Sequence, residues 1–447
     1  MLALHPLTWQ SLLCLIMGLF SSFPINALAS TTTNNVTPVT IYEARTISAN
    51  PSASNIFAGS DQAQTYLEKI LHIHQDHGIR IGGMLLGDVN DLFSGGIPNA
   101  DRWTDNGLFL LDLSANTEKL MGLKGGLFDI QFLQFNGQDT NGQAGSIQGY
   151  NSLPGAPPLN RSELYQLWYR QEFFDKKLFI RVGKSVPTFD FDNVTRPVPV
   201  ESAHPSIQSV SGLIYTPIFV NPTMLGVMPG YYNSAYGVTM SVAPIKKWYV
   251  SAGMYDGNLA NGKQTGLTGP TFNGSYFTIG EVGTVWLLGN NKLPGSIGAG
   301  LWHQSGLVQS SSTLSQHGAS GYYIFGSQRL WYKNPLQDNS GISGFYEYGK
   351  NNSTVLPMIK YIGLGLTAFG LTPHRHNDSM GLGAAYSWLN QSSFTQRGEL
   401  MFQLYYQAQV VQNILYLEPA LSYIPHPGAS KTLDAAWAGS LRAILLF

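Results

Sequence analysis

From Gly78 to Phe447 the apolar residues recur with a period of two, and no run reaches the ~18 apolar residues that mark a membrane-spanning helix. The segment from Ala436 to Phe447 shows the pattern. One face carries Trp437, Gly439, Leu441, Ala443, Leu445 and Phe447, uncharged and with an aromatic at each end. The other face carries Ala438, Ser440 and Arg442 before Ile444 and Leu446. Gly398 to Val410 repeats it, with Leu400, Phe402, Leu404, Tyr406, Ala408 and Val410 set against Glu399, Met401, Gln403, Tyr405, Gln407 and Gln409. In Lys177 to Gly183, Leu178, Ile180 and Val182 oppose Phe179 and Arg181.

A soluble sandwich also alternates, so composition has to decide. Charged residues make up only 11% of the chain, against about 25% in ordinary soluble domains. The apolar faces end in aromatics about ten residues apart, as interfacial girdles do, and the last strand pattern closes on Phe447 without a polar tail. Lipid requires every backbone polar group to be satisfied internally, which leaves helices or closed barrels. The expectation is therefore all-β: a transmembrane antiparallel β-barrel. Spans of about 9–11 residues allow about 14 to 18 strands, around an aqueous lumen. Segments dense in Gly, Pro, Asn, Ser or Thr mark the expected external loops: Thr140 to Leu159, Arg196 to Val227, Tyr255 to Ser275 and Val308 to Ala319. An even strand number puts both termini at the periplasmic face.

The region before the barrel divides in three. Residues 1–29 read as a cleaved signal peptide, with an apolar run from Leu12 to Phe20, Pro24 as breaker and Ala27-Leu28-Ala29 as cleavage site. That run is about half the ~20 residues an uncleaved anchor would need. Cys14, the single cysteine, lies in it, so a cleaved chain has neither disulfide nor thiolate site. Residues 30–59 read as a flexible lead, and the barrel domain as 60–447. Within that domain, 61–77 is a short periplasmic helix, with Tyr66, Ile70 and Ile73 on one side, Asp61 as N-cap and Gly78 as stop. Strands are expected from 78.

With 25 basic and 26 acidic residues, the chain offers no basic field for nucleic acid. G-x-S-x-G, P-loop, H-E-x-x-H and C-x-x-C motifs are absent, and no cofactor or metal is expected. His72, His74 and His77 read as solvated helix polars, and His374 and His376 as loop residues beside Pro373.

Several segments resemble a known family in their order. A helix and Gly78-Ile79 lead to a first strand that ends Asp91-Leu92-Phe93-Ser94-Gly95-Gly96. Glu163-Leu164-Tyr165, Tyr169-Arg170-Gln171-Glu172-Phe173 and Lys177-Leu178-Phe179-Ile180-Arg181-Val182-Gly183-Lys184 follow. Then come Tyr361, Gly363-Leu364, Gly370-Leu371-Thr372-Pro373, Arg375 and Asp378, and later Glu399, Tyr405-Tyr406 and Leu417 to Gly428. Over roughly residues 62 to 447 the chain resembles the carbohydrate-selective porins of the OprB type. It departs where an Arg-bearing, Gly-rich approach to the second strand is usual, and reads Asp101-Arg102-Trp103-Thr104-Asp105-Asn106-Gly107 instead.

The resemblance implies a 16-stranded barrel in the Gram-negative outer membrane for passive uptake of glucose and related sugars. A general or anion-selective porin stays open as the alternative, and a barrel enzyme more remotely. The partners expected are sugars, outer-membrane lipid and the barrel assembly machinery acting through Phe447, with the barrel a monomer or homotrimer. Period two sets Trp168, Arg170 and Glu172 on one strand face, Arg181 on the polar face of the next, and Glu399 and Arg442 on polar faces of the last strands. With Arg102 and Arg161 at strand starts, these are the expected pore-lining residues.

Overall fold

The computed structural model describes residues 64–154, 159–194, 210–229, 233–245, 247–257, 267–290, 293–309, 314–335 and 338–447. The expected signal peptide and flexible lead, and the Asp61 cap, lie outside the described residues. Sixteen antiparallel strands close into one barrel in which each strand pairs with its neighbours in sequence and β1 pairs with β16. They are β1 (Ile79–Ser94), β2 (Trp103–Asn116), β3 (Gly126–Asn136), β4 (Asn160–Phe173), β5 (Leu178–Ser185), β6 (Ala235–Ile245), β7 (Trp248–Asp256) and β8 (Tyr276–Leu288). The second half comprises β9 (Leu293–Gln309), β10 (Ser315–Tyr332), β11 (Gly341–Asn351), β12 (Met358–Phe369), β13 (Ser379–Leu389), β14 (Gly398–Val411), β15 (Leu415–Ile424) and β16 (Ala436–Leu446).

The even strand number sets the start of β1 and the finish of β16 at one end, here called the foot; the other end is the crown. Foot connections are short, the longest being 117–125 and 370–378, whereas the crown carries 137–159 and 186–234. The chain closes on itself at the seam. Phe447 exchanges both backbone hydrogen bonds with Gly83, at 2.9 and 3.1 Å, and its ring stacks on Phe109 at a centroid distance of 6.0 Å.

Alternation sorts the side chains as the pleat requires. Val182, Val250, Leu364, Leu404 and Leu441 point out and are exposed, while Arg181, Ser251, Gln403 and Arg442 point in and are buried. The abundance of glycine has a packing reason. Tyr249 faces Gly283 and Tyr323 faces Gly300 in register, and a Cβ on either glycine would collide with the tyrosine ring. Large inward rings therefore lie flat against the wall.

Two expectations need correction. The helix over 61–77 is instead α1 (Tyr66–Ile70), capped by Thr65 and Glu68 in a reciprocal capping box, followed by a separate 3-10 turn at Gln75–His77. His72 takes a left-handed conformation at φ 55°, which no helix can carry through. The loop expected over Val308 to Ala319 is mostly strand, because β9 and β10 extend as a long hairpin joined by 310–314.

Whether the long external loops enter the lumen is not set by the strand pattern. The described parts of loops 137–159 and 186–234 do fold into it, with Tyr150, Leu153, Leu213, Ile214, Tyr215 and Met224 all at most 2% exposed. Leu213, Ile214, Tyr215 and Met224 pack against inward Tyr255, Phe277, Tyr323 and Tyr405 in one cluster. A loop this apolar buries its side chains rather than leaving them in water.

Candidate functional site: a charged, loop-narrowed lumen

The long loop 186–234 touches the wall at successive points. Asp190 pairs with Arg181 on β5. The Asp192 N–H donates to the Glu281 carboxylate on β8 at 2.8 Å. The N–H groups of Ile214 and Tyr215 donate to Gln403 Oε1 on β14, at 2.7 and 3.2 Å, and Asn351 on β11 donates to the Thr223 carbonyl at 2.7 Å. Loop 137–159 is tied down at Glu399 on β14. That carboxylate accepts from the Ser146 hydroxyl at 2.8 Å and from the N–H groups of Ile147 and Gln148 at 2.9 and 3.1 Å. It also accepts from Gly428 N–H at 2.6 Å, in the β15–β16 connection.

Three charged patches line the inner wall. The first joins β4 and β5, where Arg170 and Arg181 are register partners. Two such cations side by side repel, and each is compensated: Arg170 pairs with Glu172 at 2.8 Å and Arg181 with Asp190. Each guanidinium also lies over an aromatic face, Arg181 over Trp168 at 5.4 Å and Arg170 over Phe179 at 5.7 Å. Nearer the crown, Arg161 donates to Asn233 at 2.9 Å and lies 3.7 Å from Glu163, which is equally close to Lys184.

The second patch is acidic. Glu281 accepts from the Tyr249 and Tyr323 hydroxyls, both at 2.8 Å, and Glu347 accepts from Tyr361 at 3.1 Å. Asp192 of the long loop faces both glutamates. Burial, then Glu347 and Glu281, pushes its carboxyl well above the usual carboxylate range, with Asn221 opposing.

The third patch lies at the β1–β16 seam. Arg442 donates to Asp88 at 2.8 Å and to Asn151 Oδ1 at 2.9 Å. Asn151 Nδ2 in turn donates to Asp88 at 2.9 Å and to Asn90 at 2.8 Å.

The residues singled out in the sequence thus fall in five places. Trp168, Arg170, Glu172 and Arg181 come together on one patch. Arg161 lies nearer the crown on the same wall, and Arg442 lies across the seam beside Asp88. Glu399 faces inward but is covered, its carboxylate turned to loop donors. Arg102 stands exposed at the crown, donating to the Leu92 carbonyl at 2.6 Å.

Sequence reasoning missed Asp88, Asp190, Asp192, Glu281 and Glu347. The signal that could have found the loop part of the site is Val210 to Val220 (VSGLIYTPIFV), too apolar a stretch for an exposed loop.

A profile of the family described as carbohydrate-selective porin, OprB family, matches residues 103–447, most of the chain. This chain belongs to the OprB family. Porin B of Pseudomonas aeruginosa is 22% identical over 402 residues, covering 77% of this chain and 82% of that protein. The structure of Pseudomonas putida OprB at high pH superposes with a TM-score of 0.71 at 18% identity, covering 83% of this chain and 95% of that one. The low-pH structure of the same protein gives 0.52 at 16% identity, covering 86% and 96%. OprB membership on a closed 16-strand barrel makes the chain a porin of the Gram-negative outer membrane.

Proposed function

We propose that this OprB-family porin passes neutral carbohydrates, glucose and related sugars, from outside into the periplasm by diffusion. The observation that carries the proposal is the family match over residues 103–447 on a barrel whose inner wall is polar and charged. Sugar hydroxyls need both donors and acceptors along their path, and pyranose rings present an apolar side that suits aromatic faces. Trp168, Arg170, Glu172 and Arg181 supply all three in one patch and are assigned the narrow section. Arg161 and Arg442 continue the lining, Glu399 holds loops in place, and Arg102 guards the crown. The channel changes no bond in its solute and calls for no catalytic group. Residues 1–29 are assigned as the export signal removed on secretion, and Phe447 as the residue offered to the assembly machinery; the barrel works as a monomer or homotrimer.

Liposome swelling tests the solute class. Vesicles holding the purified barrel should swell faster in glucose or maltose than in an amino-acid zwitterion of equal size. Equal rates for both solutes, or swelling only with anions, would replace the sugar assignment with a general or anion-selective pore.

A further inference from the structure

The outer wall carries a feature that solute passage does not use. Near the crown, Lys350 on β11 and Lys360 on β12 are register partners, with Tyr322 beside Lys350 and Trp388 beside Lys360. Both lysines share the outward parity of Tyr346, Ile362, Leu364 and Leu366, all exposed, so the row Tyr322–Lys350–Lys360–Trp388 faces the membrane. Like charges directly opposite on neighbouring strands repel. Among the described residues neither lysine has an acidic partner within ion-pair distance.

Aromatics hold the Lys360 ammonium in place: it sits 4.3 Å from the Trp388 ring centroid and 5.6 Å from that of Tyr348. Tyr386 braces Trp388 edge-on at 4.5 Å, and Tyr322 leans on Tyr348 at 6.0 Å. From Lys360 down to Ala368 the strand runs roughly 27 Å at about 3.4 Å per residue. At a tilt of about 40° this is roughly 20 Å of height, close to the ~25 Å apolar band of such barrels. The lysine row therefore lies at the upper edge of that band, at headgroup level.

We propose that Lys350 and Lys360 form a binding site for a phosphorylated lipid of the outer leaflet, with its phosphate bridging the two ammonium groups and its acyl chains on Ile362, Leu364 and Leu366. The site rests on the outer-membrane assignment, which sets the crown outside. An anion between two otherwise repelling cations turns their repulsion into attraction, and the aromatic row fits the sugar–acyl boundary of a glycolipid.

The test uses the full barrel in neutral detergent, titrated with lipid A (a doubly phosphorylated glycolipid), its dephosphorylated form, and inorganic phosphate. Native mass spectrometry counts adducts, and the temperature of heat modification on gels reports stabilisation. Lipid A should bind and raise that temperature, whereas the dephosphorylated form and free phosphate should not. Lys350→Gln with Lys360→Gln should weaken lipid A binding at least tenfold, while Lys350→Arg with Lys360→Arg should keep it. Lys176→Gln with Lys177→Gln, at the foot, should also keep it. Undiminished binding in the crown glutamine pair overturns the site, as does equal stabilisation by phosphate alone, which would mark a free-anion site. Sugar-blocked conductance, read on the same preparations, separates a failure here from a failure of the porin assignment.

Discussion

The carboxylate of Glu399 accepts the backbone N–H of Gly428 at 2.6 Å, and through it one side chain on β14 fastens two separate crown loops. Hydrogen bonds to an ionised group contribute about 1.5–3 kcal/mol each, and a buried donor left without its acceptor costs about 1–3 kcal/mol. Replacing Glu399 with Ala should free residues 146–148 and 428 and destabilise the loop seat by a few kcal/mol on those terms. The expected result is a noisier channel of higher mean conductance, with Glu399→Gln intermediate. Unaltered conductance and noise from a folded Ala variant would mean that the loops keep their place without this anchor.

A second expectation concerns Arg181. It is held by Asp190 from the loop, lies over Trp168 and stands beside Arg170, while Ile180 and Val182 face outward. Arg181→Ala removes one cation and one tether of the loop. Conductance should rise, selectivity should move toward cations, and sugar block should weaken severalfold. Ile180→Ala serves as the lipid-face control and should change none of these. Equal currents from wild type and the Arg181 variant would take Arg181 out of the narrow section.

Acidity should act on the long loop through Asp192. Its carboxyl is raised by burial and by Glu347 and Glu281, so the folded barrel holds its proton more tightly than the unfolded chain does. This contribution to stability is full below the ordinary carboxylate pKa of about 3.9. It is lost as pH rises through the raised folded value. Loop seating should weaken, and channel noise should grow, as pH increases. Asp192→Asn should flatten this dependence. A slope that survives the substitution would assign the titration to another group.

How much of this was legible in the sequence varies element by element. In β14 and β16 strict alternation sorted inward from outward residues correctly, because β16 pairs with β15 without a shift and the shift in β14 comes only at its end, between Gln409 and Val411. In β4 strict alternation would set Arg161 and Arg170 on opposite faces. The register shift opposite Gln131 and Phe132 inserts one residue and turns both inward, with Tyr165 and Gln166 buried together. A bulge leaves no composition signal, so pattern alone misses it. The loops escaped for another reason: Gly, Pro and Asn mark where the chain leaves a strand, not whether the loop returns into the lumen. Only the apolar Leu213-Ile214-Tyr215 run carries that information.

The seam gives a further expectation. Phe447 donates one backbone hydrogen bond to Gly83, accepts another from it, and stacks its ring on Phe109. Deleting it removes the outermost rung of the β1–β16 closure. The yield of heat-modifiable barrel in the outer membrane should fall severalfold, with periplasmic degradation products in its place. Wild-type yield would show that closure and assembly do without this rung.

Single-channel recording in planar bilayers, with maltose or glucose titrated into the bath, tests whether inward loops and a two-sign charged patch make a narrow sugar path. Such a path passes small, weakly ion-selective currents that sugar reduces in a saturable manner, with the reduction weakened by Arg181→Ala. Large currents indifferent to sugar, or a strong anion preference that sugar leaves untouched, would contradict it.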